Sequence, residues 1–305
     1  MHKELTFIGL GRMGAAMAAN LVEQGYTIHG FDVNKDARIA AAATGVTIHE
    51  SLEAAVGALD APRTVWLMLP AQFVDATLAQ LRPLLSRDDT IIDGGNSFFK
   101  DTIHRQNDLA GDLIHYIDCG TSGGVSGARN GASLMVGGEK KIVERHKHIF
   151  TALATENGYG HVGGSGAGHF VKMVHNGIEY GMMGAIAEGI NVLHHHKEGL
   201  ELDINETLKP YQHGSIIESN LMNWISDAYH LDGYLEKIAG EVPLGETEME
   251  MEYLIEHEDV RILDAAVLQR KLTRLKPSFI GTLISAMRNQ FGGHKILDKD
   301  TNATK

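Results

Sequence analysis

The chain has 305 residues, which at roughly 150 residues per domain fits two domains with length enough for a full core and excludes a small stapled module. With 43% hydrophobic and 22% charged residues, no apolar run of the ~20 residues a membrane helix needs, no secretory leader in the opening Met1–Ile8 and a single cysteine, Cys119, a cytoplasmic protein is expected. Lys and Arg number 27 against 39 Asp and Glu, and the net charge of −12 excludes a nucleic-acid or anionic-membrane binder at the whole-chain level, so an anionic substrate needs a local basic pocket.

The first half alternates β-branched runs with helical stretches, the rhythm of a parallel sheet covered by helices. A first strand is expected over Leu5–Gly9, and it opens into Gly9-Leu10-Gly11-Arg12-Met13-Gly14, a G-x-G-x-x-G run leading into a helix over Ala15–Gln24. In that setting the first glycine permits a tight turn and the second lets the backbone approach a pyrophosphate. The third allows close helix packing, and the helix N-terminus adds partial positive charge. Asp32 follows the second strand, Thr27–Phe31, where a carboxylate accepts hydrogen bonds from adenosine ribose hydroxyls and repels a 2′-phosphate. Val33 and Asn34 bring no guanidinium to offset it, so NAD is expected over NADP.

A helix over Asp36–Ala43 leads toward the strand Thr64–Leu69, whose end contributes Leu69 and Pro70 to the cofactor set. After a helix over Phe73–Leu81, the strand Thr90–Asp93 runs into Asp93-Gly94-Gly95-Asn96-Ser97, where an amide and backbone donors can reach a bound sugar or the nicotinamide ribose. The strand His115–Asp118 runs into a glycine-rich loop, Cys119–Arg129, in which Ser122, Gly123 and Gly124 offer N–H groups suited to a carboxylate. Both loops lie at carboxyl ends of strands, where open α/β sheets bind ligands. Ser133–Val136, a helix over Lys140–Ala154 and a strand near Tyr159–Val162 complete this half.

Beyond residue 165 the strand-like runs give way to helical patterns over His169–His196, Ile216–Tyr229, Val260–Leu275 and Ser278–Phe291. The expected architecture is an α/β Rossmann-type domain over 1–165, an all-α domain for substrate and oligomerisation over 166–292, and a polar tail over 293–305. On the first of these helices Lys172, His175, Asn176, Glu179 and Tyr180 fall within an arc of ~140°. A lysine in a dry site can lose its proton and act as a base, and a nearby carboxylate can serve as the complementary acid. The acid-rich stretch Glu241–Asp259 reads as a solvated loop and helix face. His194, His195 and His196 point in different directions around a helix, and no metal site is expected.

Together these residues resemble the 6-phosphogluconate dehydrogenase family, within the wider β-hydroxyacid dehydrogenases, over Gly9 to His294. The resemblance is carried by Ile92-Asp93-Gly94-Gly95-Asn96-Ser97, by Ser122-Gly123-Gly124 with Gly131-Ala132-Ser133-Leu134-Met135, and above all by Lys172-Met173-Val174-His175-Asn176-Gly177-Ile178-Glu179-Tyr180. It implies the short, bacterial-type form and the oxidative decarboxylation of 6-phosphogluconate to ribulose 5-phosphate and CO2, with hydride transfer to NAD, in the pentose phosphate pathway. Lys172 would be the base, Glu179 the acid and Asn176 their catalytic neighbour. Asn96, which also meets the cofactor, would hold the substrate with Ser122, Gly123, Gly124, His175, Asn176 and Tyr180. No metal is implied, because the β-keto group accepts the electrons of the departing carboxylate. Arg288 and His294, in Arg288-Asn289-Gln290-Phe291-Gly292-Gly293-His294, would reach the phosphate in a neighbouring subunit's site, which implies a homodimer or homotetramer.

Two segments depart from the family pattern. Glu218 stands where the family carries an arginine that contacts phosphate, and Gly245-Glu246-Thr247-Glu248-Met249 replaces another basic stretch. Two alternatives follow, an unphosphorylated aldonate as substrate or phosphate recognition moved to Arg288, His294 and Arg129. A non-decarboxylating dehydrogenase of another 3-hydroxy acid and a dinucleotide-binding regulator without catalysis are the rival functions, and Lys172, Asn176 and Glu179 count against the second.

Overall fold

A computed structural model describes residues 3–196 and 199–299. The chain separates into two units between Met173 and Val174. In the first, eight strands form one sheet: β1 (Glu4–Ile8), β2 (Thr27–Phe31), β3 (Thr47–Ile48), β4 (Thr64–Leu67), β5 (Thr90–Asp93), β6 (His115–Ser122), β7 (Ala132–Gly137) and β8 (Ala154–Gly163). Their order is β3-β2-β1-β4-β5-β6-β7-β8, and every neighbouring pair is parallel except the antiparallel β6 and β7. The order reverses between β1 and β4, so the loops leaving these two strands flank a topological switch point, where such sheets take their ligands.

The helices of this unit are α1 (Arg12–Glu23), α2 (Lys35–Ala42), α3 (Leu52–Gly57), α4 (Ala71–Leu81), α5 (Phe99–Ala110), α6 (Gly124–Asn130) and α7 (Lys140–Leu153), and α8 (Ala167–His195) begins in it. The central strands β1, β4 and β5 are buried almost throughout because helices cover both faces, and all four residues of β5 are buried. Trp66 on β4 is fully buried between Phe7, 5.9 Å away between ring centroids, and Phe150, 6.0 Å away. Burying an aromatic of this size contributes about 1.5–3 kcal/mol.

The expected Rossmann-type fold is therefore present, with additions. α5 escapes the sequence reading because it is polar on average and its buried face carries Thr102 and Arg105 beside Leu109. The run Cys119–Arg129, expected to be one loop, is instead the end of β6, a left-handed Gly123 at φ 117° and the short helix α6.

The second unit is helical, with α9 (Ile204–Gln212), α10 (Asn220–His230), α11 (Tyr234–Lys237), α12 (Glu248–His257), α13 (Arg261–Leu275) and α14 (Phe279–Gly292). Its core joins Met183, Ala187 and Ile190 of α8 to Leu221 and Ile225 of α10 and Leu283 and Met287 of α14. Side-chain caps start three of the helices: Asp203 accepts from Glu206 N–H, Ser219 from Met222 N–H and Ser278 from Gly281 N–H. The stretch assigned to a tail from 293 onward is docked as far as Asp298, with Ala239 N–H donating to Leu297 O at 2.7 Å and Ile238 bridging Asp298; the tail residues 300–305 lie outside the described residues. The acid-rich stretch is not wholly solvated either, since Glu248 and Glu250 are buried. Among the described residues no helix is long and apolar enough to cross a membrane.

Candidate active site

The glycines of the β1–α1 loop have three separate jobs. Gly9 has φ 90°, and a side chain there would collide with Met68 O. Gly14 lies so close to Gly9 O that no Cβ fits, whereas a Cβ on Gly11 would enter space with no atom within 4 Å. α1 starts behind this opening with no side-chain cap at Gly11 and no acidic residue in its first turn. An open approach to an uncapped helix N-terminus fits a pyrophosphate. Leu10 is buried, Met13 packs on the core, and exposed Arg12 begins the helix. The Asp32 carboxylate accepts from Leu10 N–H at 2.6 Å and from Asn34 N–H at 2.7 Å, which fixes it beside the loop. Across the switch point, Leu69 reaches Gly9 and Pro70 stands at the N-terminus of α4.

The loop after β5 is braced from beneath. Fully buried Asp93 accepts from Ser97 Oγ at 2.7 Å, from the Tyr116 hydroxyl at 2.8 Å and from Gly95 N–H at 3.1 Å. Arg105 donates to Ser97 Oγ at 3.1 Å and to Asp75 at 2.6 Å. Burial and the neighbouring Asp93 carboxylate push the Tyr116 phenol well up. Gly94 N–H is spent on Leu67 O. A Cβ at Gly94 would lie 2.5 Å from Trp66 Nε1, and one at Gly95 2.5 Å from Leu69 O. Neither glycine has room for a side chain, the Gly94 and Gly95 N–H groups are both used within the protein, and half-buried Asn96 stands beside them in the loop.

The start of α8 is seated on the sheet by an acid that the sequence did not single out. Fully buried Asp118 accepts from Gly166 N–H at 2.8 Å and from His169 N–H at 2.9 Å. Gly168 has no room for a side chain against Met135 O, and a Cβ on Gly120 would sit 2.5 Å from Lys172 Cβ. Lys172 is therefore set close above β6, the strand that ends in Ser122, followed by Gly123 and Gly124.

Farther along α8, Asn176 is buried and His175 Nδ1 lies 4.0 Å from Glu179 Oε2. The Tyr180 hydroxyl bonds Thr247 Oγ1 at 3.0 Å, and the Arg270 guanidinium lies over the Tyr180 ring, its Cζ 3.3 Å from the centroid. Burial lowers the pKa of Arg270 to about 10, which leaves it a cation at neutral pH, and lowers that of Arg288 as well. Arg288 donates to Pro243 O at 2.8 Å, lies beside Gly245 and is buried within its own unit. His294 packs edge-on against Phe291 of the same unit, its N–H on Arg288 O.

The departures from the family pattern have local partners. Glu248 is held by Arg274 through bonds of 2.6 and 3.0 Å, which neutralises the acid that replaced a base. Exposed Glu218 accepts from Gly214 N–H at 2.7 Å. Arg129 is paired with Glu23 at the surface. Arg270 had no local signal: in Gln269-Arg270-Lys271 it reads as one more polar residue of a helix surface. Among the described residues no group of three or more His, Cys, Asp or Glu is arranged to hold a metal ion.

The model of the NAD binding domain of 6-phosphogluconate dehydrogenase matches residues 4–163, and that of the 6-phosphogluconate dehydrogenase C-terminal domain matches residues 168–200. The chain belongs to the 6-phosphogluconate dehydrogenase family. It is an oxidoreductase of that family with an NAD(P)-binding first unit. The YqeC protein of Bacillus subtilis is 38% identical over 293 residues, covering 95% of this chain and 98% of that protein. The NAD(+)-dependent, decarboxylating 6-phosphogluconate dehydrogenase of Haloferax volcanii is 37% identical over 303 residues, covering 97% of this chain and 99% of that enzyme. Among solved structures, Plasmodium falciparum 6-phosphogluconate dehydrogenase shares the fold, with a TM-score of 0.77 at 24% identity over 99% of this chain and 65% of that one.

Proposed function

We propose that this enzyme oxidatively decarboxylates 6-phosphogluconate to ribulose 5-phosphate and CO2, with NAD preferred over NADP. The reading rests above all on α8, which carries Lys172, Asn176 and Glu179 on one ~140° face that ends at Tyr180 beside Arg270 and Arg288. When bound, the nicotinamide supplies the hydride acceptor. Lys172 takes the proton of the substrate 3-hydroxyl as the C3 hydrogen leaves with its electron pair, giving a 3-keto acid and an ammonium group. That ammonium donates to the keto oxygen, so the C1–C2 electrons have a place to go when CO2 departs. Lys172 returns its proton to the resulting enolate oxygen. Glu179 then protonates the carbon that had carried the carboxylate while the now neutral Lys172 takes the enol O–H proton back, and the enediol becomes the ketose. Asn96, Ser122, Gly123, Gly124, His175 and Asn176 would hold the carboxylate and hydroxyls.

The phosphate end is assigned to Tyr180, Arg270 and Arg288. With Glu248 already neutralised by Arg274, the two guanidiniums near Tyr180 favour a phosphorylated acid over a plain aldonate. The acting species is taken to be a homo-oligomer.

The test is to follow reduced cofactor and trapped CO2 together, with 6-phosphogluconate or gluconate and with NAD or NADP. Equal NADH and CO2 from 6-phosphogluconate is the expected result. NADH without CO2 means a non-decarboxylating dehydrogenase, and preference for gluconate overturns the phosphate assignment. Lys172→Met should cut NADH formation by about 10²–10⁴-fold while leaving NAD binding within about twofold.

A further inference from the structure

The turn after β2 is tied to a charge pair that the preference for NAD does not by itself explain. Arg38, on α2, folds back beneath this turn: its Nη1 donates to Asp32 O at 2.8 Å and to Val33 O at 3.5 Å. Its Nη2 donates to Glu50 Oε2 at 2.9 Å. The arginine side chain is 13% exposed and the glutamate 85%, so Glu50 can change without disturbing the core.

We propose that Glu50, acting on Arg38, is a specificity-determining residue that keeps the ribose-facing turn closed to a 2′-phosphate. This rests on the reading that Asp32 meets the ribose of NAD. A guanidinium is the side chain best shaped to take phosphate oxygens in pairs, and one lies directly under the backbone of Asp32 and Val33. Glu50 occupies one arm of that fork and cancels its charge. A phosphate dianion entering here meets two carboxylates, Asp32 and Glu50, against one guanidinium. On α2 itself, Lys35 and Asp36 offset each other. Neutralising Glu50 leaves Asp32 and Arg38 matched and releases Nη2 as a donor, while the two Nη1 bonds continue to hold the turn.

The probes are 2′,5′-ADP and 5′-AMP, which differ only by the phosphate on the 2′ oxygen of the adenosine ribose, titrated calorimetrically into the intact protein at low salt. Wild type should bind 5′-AMP and take 2′,5′-ADP more weakly. Glu50→Gln should tighten 2′,5′-ADP by about 3–10-fold and change 5′-AMP by less than about twofold, with the gain shrinking as salt rises. Adding Arg38→Met should abolish the gain, and equal thermal midpoints for wild type and Glu50→Gln would show the fold intact. If wild type favours 5′-AMP and Glu50→Gln leaves 2′,5′-ADP unchanged, the role of Glu50 is overturned while the ribose reading stands. If wild type itself favours 2′,5′-ADP, the ribose reading fails first.

Discussion

His146, on α7, is a base that the fold keeps neutral. It is buried, with Nδ1 2.9 Å from Ile142 O and Nε2 3.2 Å from Thr64 Oγ1. Burial, aided by Arg145, His148 and His115, lowers its pKa to about 4. An unfolded histidine titrates near 6.5, so as pH falls from about 6.5 the unfolded chain gains a proton that the folded one refuses. The associated stability is complete above about 6.5 and is lost by about 4, up to about 3 kcal/mol in all. His146→Gln should therefore lower stability at pH 7 yet flatten its fall between pH 7 and 4.5, as read by urea unfolding at each pH. A fall as steep as that of wild type would contradict the assignment. Legibility at this scale follows chain separation. Lys172, Asn176 and Glu179 stood out because one helix gathers them within eight residues of sequence. Arg270 is brought to Tyr180 only by tertiary packing, and Glu248 looked like a lost cation until Arg274 was seen beside it.

At the scale of elements, α8 depends on one acid. Asp118 satisfies two N–H groups at the start of a 29-residue helix, and its charge lies at the positive end of the helix dipole. Asp118→Asn keeps the shape but replaces one acceptor oxygen with a donor that faces a backbone N–H, at a cost of about 2–3 kcal/mol. Lys172 follows Gly166 by less than two turns, so its amine moves with the seat. We expect kcat to fall about tenfold or more while KM for NAD stays within about twofold. Asp118→Glu should restore part of the rate if the carboxylate itself is what seats the helix. Loss of NAD binding in step with kcat would instead mean that the sheet has been damaged. The same contrast explains which elements the sequence revealed. β2 and β5 were legible to the residue, because buried parallel strands are short apolar runs closed by turn residues. α9 was hidden by Pro210 inside it, and α5 by its polar inner face.

For the molecule as a whole, the first unit was foreseen because its rhythm of strand, glycine turn and helix repeats along the chain. The second unit was foreseen only as a set of helices, since helix periodicity states which face is apolar and not what covers it. On α13 that question has a definite form. Leu268 and Leu272 are each 53% exposed and Leu275 is 83% exposed, spaced to lie in one stripe along the helix. Burial of one such leucine contributes about 1.5–3 kcal/mol, and a soluble protein seldom leaves three aligned without a partner. The net charge of −12 makes copies repel in general, so association needs a local apolar contact of this kind. If the proposed homo-oligomer uses this stripe, Leu272→Glu places like charges inside the contact, once per subunit. Sedimentation equilibrium should then find wild type as a dimer or larger species at micromolar concentration and Leu272→Glu shifted toward monomer, with NAD binding retained. A monomeric wild type would overturn the oligomer itself, and an oligomer indifferent to Leu272→Glu would move its interface away from α13.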